Sequence, residues 1–220
     1  MAATRLYLVR HGQSGGNVEG RFGGHSDTPL SGLGEKQAEL TADVLSAKNI
    51  AAIYTSDLRR AVQTAEPLER RSGIKITRTS AFRERHVGVL EGLTFAESKE
   101  QYPTDYYALV NREVNHVITG GESYRQLLRR ATSALKEVLY AHRGEQVVVY
   151  SHTGTICFLS LYLMGAIRKT TRFTPWIVTS NCGINLFEIR GSRNTRVLSI
   201  NDTRHLSDIT GNDSFSDPKS

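Results

Sequence analysis

Two short apolar runs in this chain end on histidine and glycine. Residues 6–9 lead into Arg10-His11-Gly12, and residues 146–150 lead into Ser151-His152-Thr153-Gly154. A cation, an imidazole and a flexible glycine just beyond a strand end suit phosphate handling. A phosphoryl group in transfer spreads charge over its equatorial oxygens and needs fixed cations more than elaborate covalent machinery. Arg10 and Arg60 can supply planar donor forks. A neutral imidazole at His11 can attack phosphorus from one ring nitrogen while a backbone carbonyl holds the other, giving a phosphohistidine. The departing alkoxide then needs an acid. Glu84, in Phe82-Arg83-Glu84-Arg85-His86, is the candidate, since a carboxyl beside an anionic phosphate keeps its proton more readily. By spacing alone, an ion pair of Glu84 with Arg83 or Arg85 is an equal reading, and either histidine taken singly is more readily structural. Two histidines at equivalent strand ends, one preceded by arginine, favour catalysis.

These residues act together only if the elements that carry them converge. Residues 6–9 and 146–150 read as buried strands, being short apolar runs rich in β-formers and bounded by charge or glycine. Residues 12–34, rich in Gly, Ser, Asn and Asp, form a loop of a length that usually means function or disorder, and it should lie over the site. Ser31 caps a helix over 32–48, with Leu33, Ala38, Thr41, Val44 and Leu45 on one face. A short strand follows at 51–55. Asp57 or Ser56 caps the next helix, in which Leu58, Ala61, Ala65 and Leu68 keep helical spacing up to Arg71-Ser72-Gly73, with Arg60 in the first turn. A strand at 74–78 precedes a mixed segment, 88–115, interrupted by Pro103. Gly120-Gly121-Glu122-Ser123 opens a long helix, another helix spans 155–164, and 183–189 and 196–200 are candidate strands. Such alternation predicts an α/β class with a largely parallel sheet, whose ligands bind beyond the carboxyl ends of the strands. His11 and His152 then leave the same edge.

The chain has 220 residues, enough for one domain with a full core. We expect that domain over 1–206 and a polar, flexible tail over 207–220. The 28 Lys plus Arg against 22 Asp plus Glu give a formal charge of +6, yet they are scattered, and no basic block with interleaved aromatics builds a nucleic-acid footprint. The two cysteines, Cys157 and Cys182, read as reduced core thiols of a cytoplasmic protein. Neither has the arginine six positions on that a cysteine phosphatase loop requires; Leu163 and Glu188 stand there. The longest apolar stretch, 156–167, is broken by Ser160 and Gly165 and is too short to span a bilayer, and the N-terminus runs into the first strand with no export signal. No membrane association is expected.

The motifs also follow a known order. Leu8-Val9-Arg10-His11-Gly12-Gln13-Ser14 with Asn17, Asp27-Thr28-Pro29-Leu30-Ser31 with Gly34, and Ser56-Asp57-Leu58-Arg59-Arg60-Ala61 with Thr64-Ala65 are followed by Glu84-Arg85-His86 with Gly88 and Glu91-Gly92-Leu93. Gly120-Gly121-Glu122-Ser123 and Val149-Tyr150-Ser151-His152 complete the set. Together they resemble the histidine phosphatase superfamily, in its phosphoglycerate mutase-like branch, over nearly the whole chain to about Leu206. The resemblance implies a three-layer α/β/α sandwich with a mostly parallel central sheet flanked by helices, and neither metal nor cofactor. It implies a phosphate pocket of Arg10, His11, Arg60 and His152, with His11 phosphorylated and Glu84 the proton donor. It further implies that Asn17, Gly23 and Gly24 of the first loop and the backbone amide of Thr153 contact phosphate or substrate, although the two glycines would suit any sharp bend. Small members of the family are often dimers, so a homodimer is allowed.

The chain departs from the mutases of that family. Val87 stands in place of their tyrosine, Phe95 in place of their lysine, and 97–120 lacks their arginine-bearing insertion. Without those anchors the dephosphorylated product leaves and water attacks the phosphohistidine. The expectation is a phosphatase acting on a small phosphorylated metabolite such as a sugar phosphate, glucosyl-3-phosphoglycerate or phosphoserine, or on many, ahead of a phosphoglycerate mutase. Gly15 and Gly16 imply a roomy pocket. Phe22, His25, Tyr102, Tyr106, Tyr107 and Trp176 are candidates for its outer wall, none of them assigned to the site. Two rivals come from other classes. Gly12-Gln13-Ser14-Gly15-Gly16 matches the serine-hydrolase pattern Gly-x-Ser-x-Gly but enters a glycine-rich loop instead of a helix. A non-catalytic phospho-ligand binder needs only the cations and imidazoles.

Overall fold

The computed structural model describes residues 2–191 and 194–209, so the expected tail lies outside the described residues from 210 onward. The elements are β1 (Thr4–Arg10), α1 (Gly15–Glu19), α2 (Gly32–Ser46), β2 (Ile50–Ser56), α3 (Arg59–Ser72), β3 (Ile76–Thr79), α4 (Phe95–Gln101) and α5 (Pro103–Val110). After these come α6 (Tyr124–Ala141), β4 (Gln146–Ser151), α7 (Thr153–Leu163), β5 (Ile184–Ile189) and β6 (Thr195–Asp202). The strands make one sheet in the order β3-β2-β4-β1-β5-β6. β1, β2, β3 and β4 pair in parallel, and β5 and β6 are antiparallel. The parallel part requires crossovers that carry helices to both faces.

Alternation along the central strands decides which helix each residue meets. Leu6 and Leu8 of β1, with Val147 and Val149 of β4, pack on Ala131, Leu135 and Val138 of α6 and Ile156 and Leu159 of α7. Tyr7, Val9, Val148 and Tyr150 face the other way, onto Ala42 and Leu45 of α2 and Ala65 and Leu68 of α3. Both faces of β1 and β4 are therefore buried, which is why these segments are apolar without alternation. The result is the expected three-layer α/β/α sandwich. Smaller apolar groups, Phe22, Val87, Leu90 and Ile118 in one and Val114, Tyr124, Leu127, Cys157, Phe158 and Leu161 in another, hold the segments that overhang the strand ends.

Two local expectations are corrected. Neither Ser56 nor Asp57 is the N-cap of α3; Leu58 is. Asp57 is held by a bidentate ion pair with Arg83 at 2.7 and 2.7 Å, and the first helical amide, Arg59 N, donates instead to Asp27 Oδ1 at 2.8 Å. A loop residue thus caps the helix from a distance and ties the 12–34 segment to α3. That segment is not all loop, since α1 opens directly after Ser14. The break expected at Pro103 is found: α4 ends at Gln101, and Pro103 starts α5 at a position where its missing N–H costs nothing.

Candidate active site

The register of β1 with β4 sets the site. Arg10 lies opposite Ser151, and His11 N donates to Ser151 O at 3.0 Å, so His11 and His152 leave adjacent parallel strands at one level. Their ring centroids are 5.1 Å apart. His11 is 5 % exposed, and its Nδ1 lies 2.7 Å from Gly12 O. A carbonyl only accepts, so Nδ1 carries the proton and the lone pair is on Nε2. Burial, then the Arg60 and Arg10 charges, hold the His11 pKa well below 6.5, which keeps the ring neutral and nucleophilic. Arg10, at the end of β1, is positioned by Nη1 donating to Thr179 O at 2.7 Å.

His152 is the N-cap residue of α7. It is fully buried beside His11, and its pKa is also well below 6.5, through burial first and then Arg60. Its Nε2 lies 2.8 Å from Ser56 Oγ, while Nδ1 is buried and has no hydrogen-bond partner among the described residues. A buried ring nitrogen with nothing to bond is costly, and a phosphate oxygen is a fitting acceptor for an Nδ1 proton.

Arg60 projects from the first turn of α3 and is 3 % exposed. Its Nη1 donates to Ser26 O at 2.6 Å and its Nη2 to Gly24 O at 2.9 Å. Burial lowers its pKa to about 10, leaving it cationic in neutral solution. Gly24 has φ +45 and sits against the Glu91 carboxylate, where a Cβ has no room; the Arg60 clamp thus depends on a conformation suited to glycine. Gly23 is less constrained, since a Cβ there would reach only ordinary contact with Arg60.

Glu84 follows a short turn, Ser80–Phe82, and does not pair with either neighbouring arginine side chain. Its Oε1 accepts from Arg85 N at 2.8 Å and its Oε2 from Gly154 N at 2.9 Å. The Glu84 carbonyl is held from behind by Arg130 Nη2 at 2.7 Å, and Arg130 also donates to Ala81 O and Arg83 O, both at 2.9 Å. The sequence reading missed Gly154, Ser56 and Arg130. The first adjoins Thr153 in the same motif, but the reach of the other two is a matter of tertiary contact.

Arg10, His11, Ser14, Asn17, Gly23, Gly24, Arg60, Glu84, Thr153 and Gly154 line one cavity of about 160 Å³. His152 stands behind this wall, adjacent to His11. Of the outer-wall candidates, Phe22 and Trp176 line the cavity, joined by Val87, Phe95, Leu109, Val110, Arg112, Tyr124, Arg85 and Arg21; His25, Tyr102, Tyr106 and Tyr107 do not. His25 instead puts Nε2 2.9 Å from Glu84 O. Ser14 does precede a helix, contrary to expectation, but its Oγ donates to Asn17 Oδ1 at 3.1 Å, an amide that cannot serve as a base. The Cys157 and Cys182 thiols are each pushed up to about 12 by burial, which makes them poor nucleophiles. Among the described residues, no three His, Cys, Asp or Glu side chains are grouped to hold a metal, and no helix is long and apolar enough to cross a membrane.

Residues 6–203 match the family model of the histidine phosphatase superfamily, branch 1. The chain is 32% identical over 206 residues to phosphoglycerate mutase-like protein 4 of Arabidopsis thaliana, covering 92% of this chain and 87% of that one. It is likewise 32% identical over 209 residues to a metal-independent phosphoserine phosphatase of the same plant, covering 94% and 84%. Among solved structures, a mycobacterial glucosyl-3-phosphoglycerate phosphatase in complex with VO3 superposes with a TM-score of 0.79 at 28% identity, over 90% of this chain and 99% of that one.

Proposed function

The chain belongs to the histidine phosphatase superfamily, branch 1, and on that premise we propose that it is a phosphomonoester hydrolase whose His11 is phosphorylated and dephosphorylated in each turnover. The observation that carries this reading is the His11 tautomer: Nδ1 is committed to Gly12 O, and Nε2 is left as nucleophile in a cavity shared with Arg10, Arg60 and Glu84. Nε2 attacks phosphorus as the P–O bond to the leaving group breaks. Arg10, Arg60, the His152 Nδ1–H and the Thr153 amide take the equatorial charge. Glu84 gives its proton to the departing alkoxide. In the second half, Glu84 takes a proton from water, the water oxygen attacks phosphorus, the P–N bond breaks, and inorganic phosphate and neutral His11 are restored. Asn17, Gly23 and Gly24 complete the phosphate side through the first loop.

Water, rather than a retained product, is the acceptor in this reading, because Val87 and Phe95 place apolar surface on the cavity wall where the mutases have a tyrosine and a lysine. The substrates are small phosphorylated metabolites, and phosphoserine and glucosyl-3-phosphoglycerate head the list because relatives are named for them. The domain is taken as 1–206 and the location as cytoplasmic; the family allows a homodimer, and light scattering would measure the assembly. The test of the reaction is release of phosphate from an aryl phosphate and a panel of phosphometabolites, with and without chelator. Turnover indifferent to chelator is expected; binding without turnover across the panel would replace the enzyme with a phospho-ligand binder.

A further inference from the structure

Glu84 stands on irregular backbone between two short turns, Ser80–Phe82 and Gly88–Leu90. No helix or sheet ladder holds the residue that must place its carboxyl against the leaving oxygen, so the backbone groups around it need other partners. One side chain takes most of them. Arg130 reaches across from α6 and donates from Nη1 to Ala81 O and Arg83 O, both at 2.9 Å, and from Nη2 to Glu84 O at 2.7 Å. Glu122 fixes this fork in turn, accepting from Arg130 Nε at Oε2 (3.1 Å) and from Nη2 at Oε1. Glu122 Oε1 also accepts from His86 N at 3.0 Å, so the Arg130–Glu122 pair grips the backbone on both sides of Glu84. Thr155 Oγ1 of α7 adds a bond to Arg83 O at 2.7 Å. On the loop side, His25 Nε2 lies 2.9 Å from Glu84 O; a carbonyl only accepts, so Nε2 carries the proton. Arg130, Glu122 and His25 do not line the cavity.

A planar guanidinium can hold three carbonyls and a carboxylate at once, which the point charge of a lysine cannot. The side chains of Arg130 and Glu122 are 24 % and 16 % exposed, and for a pair so far removed from water desolvation cancels much of the attraction. Its main effect is therefore on geometry. From this convergence, and resting on the phosphatase reading, we propose that Arg130 is a positioning residue for the proton-transfer step: it touches neither phosphate nor leaving group, and it sets where the Glu84 carboxyl stands. His25 completes the hold from the first loop. The same loop gives Gly24 O and Ser26 O to Arg60, and His25 N is anchored on Glu91 Oε1 at 2.8 Å. The cation that grips phosphate and the acid that serves the leaving group are thus held in register through Glu84 O.

The test is a double-mutant cycle in the full chain, read as kcat/KM on the best alkyl phosphate of the panel and on a nitrophenyl phosphate. Arg130→Gln should lower kcat/KM for the alkyl ester by roughly 10- to 100-fold, the cost of moving a catalytic group by about 1 Å. The nitrophenyl ester should change far less, and inhibition by inorganic phosphate should stay within about twofold, because the phosphate pocket is untouched. In a Glu84→Gln background the acid is already lost, so the same substitution should cost less than about threefold on the alkyl ester. Arg130→Lys keeps the charge beside Glu122 and should recover part of the loss; it carries the same cycle if the glutamine variant does not fold. Losses that multiply in full in the double variant, or that fall equally on both esters, overturn the positioning role while leaving the phosphatase reading intact. A parent that turns over neither ester overturns the phosphatase reading, and this inference with it.

Discussion

Replacing Gly154 by alanine moves the candidate acid without altering its chemistry. The Gly154 N–H donates to Glu84 Oε2 at 2.9 Å, and a Cβ at this position would lie 2.5 Å from Glu84 Oε1 and 3.2 Å from its carboxyl carbon. The carboxyl must retreat by about 1 Å to restore an ordinary contact. A displacement of that size costs a positioned catalytic step about 100-fold, and general-acid help is itself worth about 100- to 10,000-fold. The loss should fall on substrates that need the proton. Alkyl phosphates, with poor leaving groups, should lose about 100-fold in kcat/KM, whereas a nitrophenyl phosphate, whose leaving group departs without protonation, should change far less. Stability should hardly move, because alanine is the better helix former by about 1 kcal/mol and offsets much of the displaced contact. The assay is kcat/KM across a series graded in leaving-group acidity, with a thermal melt of each protein. Equal loss across the series, or none, would refute the placement of Glu84 as the acid.

The buried histidines give a pH dependence of defined sign. Because the pKa values of His11 and His152 are depressed in the folded protein, the unfolded chain binds protons first as pH falls below 6.5, and stability drops. Two such groups give a slope of about 2.7 kcal/mol per pH unit below that point; urea unfolding at pH 7.5 and 5.5 measures it, and a flat profile contradicts the neutral rings. Arg60→Lys cannot reproduce the fork that reaches both Ser26 O and Gly24 O, so kcat/KM should fall about 100- to 1,000-fold with inorganic phosphate inhibiting more weakly; near-normal kinetics would contradict a bidentate role. Gly24→Ala should cost about 1–3 kcal/mol through its positive φ and the Glu91 contact, read by thermal or denaturant unfolding, and an unchanged midpoint would refute the strain.

What could be read from sequence was what local pattern controls. The β1 and β4 runs are apolar on both faces because helices cover both, and they terminate where histidine and glycine begin, so the meeting of His11 and His152 followed from strand ends alone. What could not be read was partnership at a distance. Asp57 has the right chemistry to cap α3, but Arg83 claims it and Asp27 takes the role. Ser56 looks like another cap, yet its hydroxyl faces His152. Glu84 stands between two arginines in sequence and accepts from backbone amides instead. The 88–115 segment gave no regular signal because α4 and α5 are short and ordered by the loops beside them; from its far end comes Arg112, whose left-handed backbone no residue type announces.

The central claim is that His11 carries the phosphoryl group. Enzyme mixed with ³²P-labelled substrate, quenched in alkali within one turnover and digested, should yield label that survives base, is lost in acid, and maps by mass spectrometry to His11; His11→Ala should show neither label nor turnover. Undiminished hydrolysis by His11→Ala, or label found on Ser14 or another residue, would contradict the account.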